Sequence, residues 1–213
     1  MDYGYFRERR KDRWWRVHVN SFQVSKWFDY NLGPRKSWRK YDRLPVKPFI
    51  PYTKKGNHIL VCPPTPAVSE YFNQQEWLDK TIEKLKQHTT RPIKIRYKPS
   101  VVGVHWENGM LLNDKTTIQT PADTIENDFN NCWAMVTYNS AMCVEALQHG
   151  IPVFSGPECA SWLLGNTDLA MIENPSYNAQ APWFWSTAEY QYTLSELMQT
   201  DTWRYILKQA GLL

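Results

Sequence analysis

Residues 133–154 read WAMVTYNSAMCVEALQHGIPVF. The apolar run Trp133–Thr137 breaks at the polar tripeptide Tyr138-Asn139-Ser140. Apolar residues then recur at helical spacing from Ala141 to His149, and Gly150 stops the pattern. A second apolar run, Ile151–Phe154, follows at once. Strand, polar turn, helix, glycine, strand is the repeating unit of a parallel sheet, whose strands are joined by helical crossovers. Strands that stay apolar without alternating are the kind buried on both faces.

Outward from this stretch the same alternation is predicted to continue. His58–Cys62 reads as a strand stopped by Pro63-Pro64, and Asn73–His88 as a helix with Trp77, Leu78, Ile82 and Leu85 on one face. Pro92–Lys98 and Thr116–Gln119 are further strands, and Ala122–Asn130 is a short helix. Beyond the central stretch come a short helix at Glu158–Leu164, a sixth strand at Leu169–Ile172, and closing helices near Thr187–Met198 and Trp203–Ala210. Toward the N-terminus only Arg16–Phe22 alternates like a strand, with Tyr3–Phe6 as another short one. Residues 45–57, PVKPFIPYTKKGN, carry three prolines and a Lys-Lys-Gly turn and read as a linker. The expected fold is α/β: a Rossmann-like parallel sheet flanked by helices over 56–213, preceded by a small basic, aromatic-rich lobe over 1–55.

Charge divides the chain in the same place. Residues 1–55 hold 15 Lys/Arg against 5 Asp/Glu, a net of +10, while residues 56–213 carry a net of −6. A basic segment rich in Trp and Tyr suits phosphate contacts and base stacking, and suits a sugar cleft or a packed core equally. For a nucleic-acid partner the contacts would come from Arg9, Arg10, Lys11, Arg13, Arg35, Lys36, Arg39 and Lys40. The four cysteines form no CxxC pair and no zinc spacing, so reduced thiols and no structural metal are expected. No apolar run approaches the roughly 18 residues of a membrane span, and MDYGYFRERRKDR lacks the apolar centre of a signal peptide, which points to a cytoplasmic protein with no membrane partner. Neither G-x-x-x-x-G-K-S nor G-x-G-x-x-G occurs, which removes the glycines that ordinary ATPases and dehydrogenases need.

In a parallel sheet, ligands bind outside the C-terminal ends of the strands. The turn at Asn139, Ser140 and Ala141 therefore places helix-terminal N–H groups and a hydroxyl where a phosphate would sit. Glu145, one turn deeper, has the reach and chemistry to accept hydrogen bonds from a ribose diol. Arg96 and Lys98 end a strand two residues apart, which predicts that both point the same way and offers a cation for the diphosphate. Thr65 and Ser69, in the CPPTPAVS stretch after the first sheet strand, are expected to line the same cleft.

The run T-Y-N-S-A-x-x-V-E-A-L-x-x-G-I-P-V-F resembles the donor-binding motif of GT-B-fold glycosyltransferases, especially short phage-encoded and capsule-type members. Arg91–Ser100 (RPIKIRYKPS) is similar to their R-x-H-P or R-x-K-P strand end, and Trp183–Trp203 to the closing helices of the phage members. The resemblance covers roughly residues 57–210. It implies a nucleoside diphosphate sugar as donor, with Ser140 at the diphosphate and Glu145 at the ribose, and no further cofactor. It also implies a second Rossmann-like domain that 1–55 is too short to supply. A homodimer or partner chain is the expected source of that domain. The acceptor site and the usual base would come from that domain, and the candidates for the base within this chain are Asp2, His18 and Asp29. The expected acceptor is a hydroxymethylated base in phage DNA, with a lipopolysaccharide or other glycan as the rival. A nucleic-acid-binding protein on a degenerate transferase scaffold is the non-enzymatic alternative.

Overall fold

A computed structural model describes residues 2–3, 14–17, 50–52, 54–98, 117–119, 124–178 and 180–213. The chain separates into two compact units. One runs from Ile50 to Tyr177, and the other joins Met1–Phe49 to Asn178–Leu213. The closing helices thus group with the N-terminal residues and not with the large sheet.

The small unit has an antiparallel sheet of β1 (Asp2–Tyr3), β2 (Trp14–Arg16) and β8 (Gln191–Thr193), in the order β1-β2-β8. Its helices are α5 (Gln180–Glu189), α6 (Leu194–Leu197) and α7 (Thr200–Gln209). Val17, Tyr192, Leu197 and Ile206 form its core with Trp15 and Trp203 against them, and the Trp203 indole donates to the Leu197 carbonyl at 2.7 Å. Two expectations change here. One long closing helix at Thr187–Met198 gives way to α5, a strand and α6. Gln191-Tyr192-Thr193 pairs with Trp14–Arg16, with Gln191 and Tyr192 both buried, and Thr193 then starts a new helix through a capping box with Glu196. The β2 strand begins two residues earlier than the alternation predicts, and the rest of the expected Arg16–Phe22 run beyond Val17 lies outside the described residues.

The large unit holds β3 (His58–Cys62), β4 (Ile93–Ile95), β5 (Thr117–Gln119), β6 (Cys132–Thr137) and β7 (Val153–Ser155). They lie in the order β5-β4-β3-β6-β7, and every pair is parallel. The helices are α1 (Pro66–Tyr71), α2 (Trp77–His88), α3 (Ile125–Phe129) and α4 (Met142–Gln148). Apolar residues on one face of α2 (Leu78, Ile82, Leu85) pack on Ile59, Val61, Ile93, Ile95, Ala134 and Val136. Leu60 and Met135, at the alternate positions, are fully buried too, as strands covered on both sides require. The expected α/β class, a parallel sheet flanked by helices, is what the chain forms.

Three local readings are corrected. The CPPTPAVS stretch carries a helix that was not expected: Pro63-Pro64 end the strand, and Pro66 occupies the first turn of α1, where a missing N–H costs nothing. The sixth strand expected at Leu169–Ile172 is instead a short 3-10 turn, Leu169–Met171. Asp168 caps it by accepting from the Ala170 N–H, and Ile172 plugs the core beneath. The helix expected at Glu158–Leu164 is a 3-10 turn, Ala160–Leu164, ended by Gly165 at φ 85.

Candidate functional site

The sheet reverses its direction of growth at β3. The chain lays β4 and then β5 on one side of it, and β6 and then β7 on the other. The loops leaving adjacent β3 and β6 therefore run to opposite sides and leave a crevice between them, the position where α/β sheets bind ligands. One wall is Pro63–Thr65 and the other is Tyr138–Ala141.

Thr137, the last residue of β6, holds the two walls together. It stands opposite Cys62 in the ladder, and its buried hydroxyl donates to the Cys62 carbonyl at 2.8 Å. The same oxygen accepts from the Ser140 N–H at 3.1 Å. Ser140 in turn uses its hydroxyl to accept from the Met142 N–H at 3.3 Å, and its carbonyl accepts from Cys143 at 3.2 Å. The Val144 N–H goes to the Ala141 carbonyl. Helix geometry alone predicts first-turn N–H groups open to the cleft. The tightened turn instead satisfies those of Met142, Cys143 and Val144, leaving the Asn139 and Ala141 amides without such bonds among the described residues. Asn139, Ser140, Ala141 and Glu145 are all half-buried, and Glu145 sits on α4 one turn past Ala141.

Arg96 and Lys98 do not share an orientation. The strand ends at Ile95, so period-two alternation stops before them. Arg96 is buried and its guanidinium is paired with the buried Asp128 carboxylate of α3, while Lys98 is exposed. Asp128 also accepts, through its backbone carbonyl at 2.9 Å, from His58 Nε2. A backbone carbonyl can only accept, so Nε2 carries hydrogen, while Nδ1 faces the Asn57 side-chain amide at 3.0 Å. Burial lowers the His58 pKa below 6.5, with the Asp128 bond opposing and Lys94 reinforcing the shift.

Thr65 is half-buried at the start of α1 and Ser69 lies within that helix. Beside them, over the ends of β3 and β4, is a cavity of about 250 Å³ lined by Pro63, Pro64, Pro66, Ser69, Leu78 and Tyr97, with acidic and amide side chains at its margin. Burial and the nearby Asp79 carboxylate push the Tyr97 phenol up. On the crevice side, the Tyr138 ring meets Phe72 at 5.7 Å and Trp77 at 6.1 Å between centroids.

Under the Ser140 turn lies a buried thiol and hydroxyl cluster that the spacing of the cysteines gave no sign of. Cys159 Sγ is 4.0 Å from the Ser140 carbonyl and 3.3 Å from Ser161 Oγ, and Ser161 meets Ser155 Oγ at 2.9 Å. Burial pushes the Cys143 thiol up, whereas hydrogen bonds from Cys143 and Ser161 outweigh burial at Cys159 and draw it down to about 7. All four cysteines are free and buried. Among the described residues no cluster of His, Cys, Asp or Glu has the makings of a metal site, and no helix is long and apolar enough to cross a membrane. Asp2 belongs to β1, in register with Arg16. His18, Asp29, Arg9, Arg10, Lys11, Arg13, Arg35, Lys36, Arg39 and Lys40 lie outside the described residues.

No protein-family model matches this sequence, and no curated protein matches it. Among solved structures, a beta Kdo 2,4 transferase, KpsC of Thermosulfurimonas dismutans, is similar with a TM-score of 0.50 at 11% identity. The match covers 82% of this chain and 65% of that one, so this chain spans less than two thirds of its length. The likeness is one of fold: the Rossmann-type arrangement described above is shared with a glycosyltransferase.

Proposed function

We propose that this chain binds a nucleoside diphosphate sugar in the crevice between the β3 and β6 loops and transfers the sugar to an acceptor hydroxyl. The observation that carries this reading is the reversal of the sheet at β3, with a Ser-led turn on one side of the crevice and a carboxylate, Glu145, one helical turn behind it. The Asn139 and Ala141 amides and the exposed Lys98 stabilise the departing diphosphate, and Glu145 takes the ribose. Arg96 serves from behind by holding the end of β4 to α3 through Asp128. In the reaction the acceptor oxygen bonds to the anomeric carbon, the bond from that carbon to the β-phosphate oxygen breaks, and the acceptor proton passes to a base, assigned to Asp2 or His18.

The acceptor in this reading is a hydroxymethylated base in phage DNA, on the strength of the net +10 of residues 1–55 and their interleaved aromatics. Such a base has to leave the stack to reach a cleft. The fold likeness to a Kdo transferase favours a second reading, in which the acceptor is a glycan. A second copy or a partner chain completes the acceptor side in either case.

The test is a thermal-shift screen of nucleotide sugars followed by a transfer assay. A ligand bound only by the folded chain raises its melting temperature. Lys98→Ala is expected to weaken binding of a nucleoside diphosphate more than that of the bare nucleoside, and Glu145→Ala to weaken both. Labelled sugar is then offered with plain DNA, hydroxymethylated DNA and a glycan mixture. Label on glycans alone discards the DNA acceptor and keeps the transferase. No shift with any nucleotide sugar discards the transferase.

A further inference from the structure

The cavity over the ends of β3 and β4 is distinct in character from the crevice beside it. None of the residues that line it is Lys or Arg, and two, Glu70 and Asp79, carry carboxylates. A phosphate would be repelled there, since like charges at close range disfavour each other. The remaining polar groups are the Ser69 and Tyr97 hydroxyls and the Gln74 and Gln75 amides. Gln74 donates from Nε2 to the Phe72 carbonyl at 3.2 Å, which fixes its amide. The rest of the wall is apolar: Leu78 and the flat or rigid surfaces of Pro63, Pro64, Pro66 and the Tyr97 ring.

This is a donor-and-acceptor set for hydroxyl groups combined with rings for the C–H face of a sugar. Carboxylates and amides grip vicinal hydroxyls with charge-assisted bonds, and pyrrolidine and phenol rings offer apolar contact that needs no rotamer ordering. At about 250 Å³ the space falls below the roughly 300–1,000 Å³ of pockets for drug-sized ligands and matches a single ring. Pro63–Pro66 separates it from the crevice, so a ligand in each would have only that turn between them.

We infer that this cavity is a subsite for one uncharged pyranose, held by Asp79, Glu70 and the Gln74 amide against the Pro63-Pro64 and Tyr97 surfaces. The pyranose is either the sugar being transferred or a sugar of the acceptor. Why a sugar should be there rests on the transferase reading, but whether it binds is measured without any nucleotide.

The experiment uses the full chain and three probes: methyl β-D-glucopyranoside, methyl β-D-galactopyranoside and N-acetylglucosamine. Saturation-transfer NMR is expected to show magnetisation passing from protein to the ring C–H protons of at least one. Gln75→Trp places a bulky ring at the exposed rim, leaving the core alone, and should abolish the transfer with the thermal unfolding curve unchanged. Asp79→Asn should weaken it about tenfold, as expected for a hydrogen bond to a charged group. No transfer from any probe, or transfer unaltered in Gln75→Trp, overturns the inference. Nucleotide arms then identify the sugar. If the transferred sugar occupies the cavity, Gln75→Trp removes the affinity advantage of nucleotide sugar over nucleoside diphosphate. If an acceptor sugar does, that advantage persists and pyranoside still binds beside the nucleotide in the unmodified chain. A chain that takes pyranosides in a Gln75→Trp-sensitive way but binds no nucleotide sugar refutes the transferase reading and leaves the cavity assignment standing.

Discussion

At the scale of residues, buried polar pairs decide how the crevice is held. Asp128→Ala would leave the Arg96 guanidinium buried without its counter-ion. Breaking such a pair costs about 3–5 kcal/mol, so the urea midpoint should fall steeply; a fall equal to that of an exposed substitution would mean water replaces the carboxylate. His58 adds a pH dependence. Its folded pKa lies below 6.5, so the folded chain resists a proton that the unfolded chain accepts. The stabilisation is fully present above about pH 6.5 and is lost as the pH falls from there toward the lowered folded value. The melting temperature should decline through that window, and His58→Gln should flatten the decline. Of this residue-level picture the sequence made part legible. Ser140 and Glu145 stand out because strand, turn and helix are contiguous in the chain. Thr137 does not, because its double role depends on standing opposite Cys62 in a ladder 75 positions away. The Arg96–Asp128 pair is hidden for the same reason: nothing local to RYK marks a partner on a helix beyond β5.

At the scale of elements, chemistry read from one residue was right where the chain alone decides and misled where context does. His58–Cys62 is five consecutive buried residues and reads as a buried strand from composition alone. Pro63, Pro64 and Pro66 together look like a long break, yet a proline opening a helix is as favourable as one ending a strand. Gly150 is a glycine whose positive φ and close packing the fold both need. It turns α4 into β7 at φ 69, and a Cβ there would come within 2.4 Å of the Pro51 carbonyl oxygen. Gly150→Ala combines an unfavourable backbone region with that clash, so a loss above about 1 kcal/mol is expected in chemical denaturation. Nucleotide affinity should fall less than stability, since the helix start at Ser140 lies a full helix away.

At the scale of the molecule, the charge split makes its own prediction. If the basic residues of 1–55 meet phosphates, the logarithm of DNA affinity should fall with the logarithm of salt by about 0.9 per phosphate neutralised, whatever the duplex sequence. A shallow slope in a salt titration would detach the basic segment from DNA. The two compact units also have different arrangements along the chain. The parallel sheet is built from Ile50–Tyr177 without interruption, whereas the small antiparallel sheet pairs Trp14 with Thr193. On the ribosome the sheet unit can assemble as soon as it emerges, but β2 has no partner strand on that side until β8 has been made. β2 therefore waits for this partner until the whole of the large unit has been made, and a slow step in maturation would be the late pairing of β8 with a strand that precedes that unit in the chain.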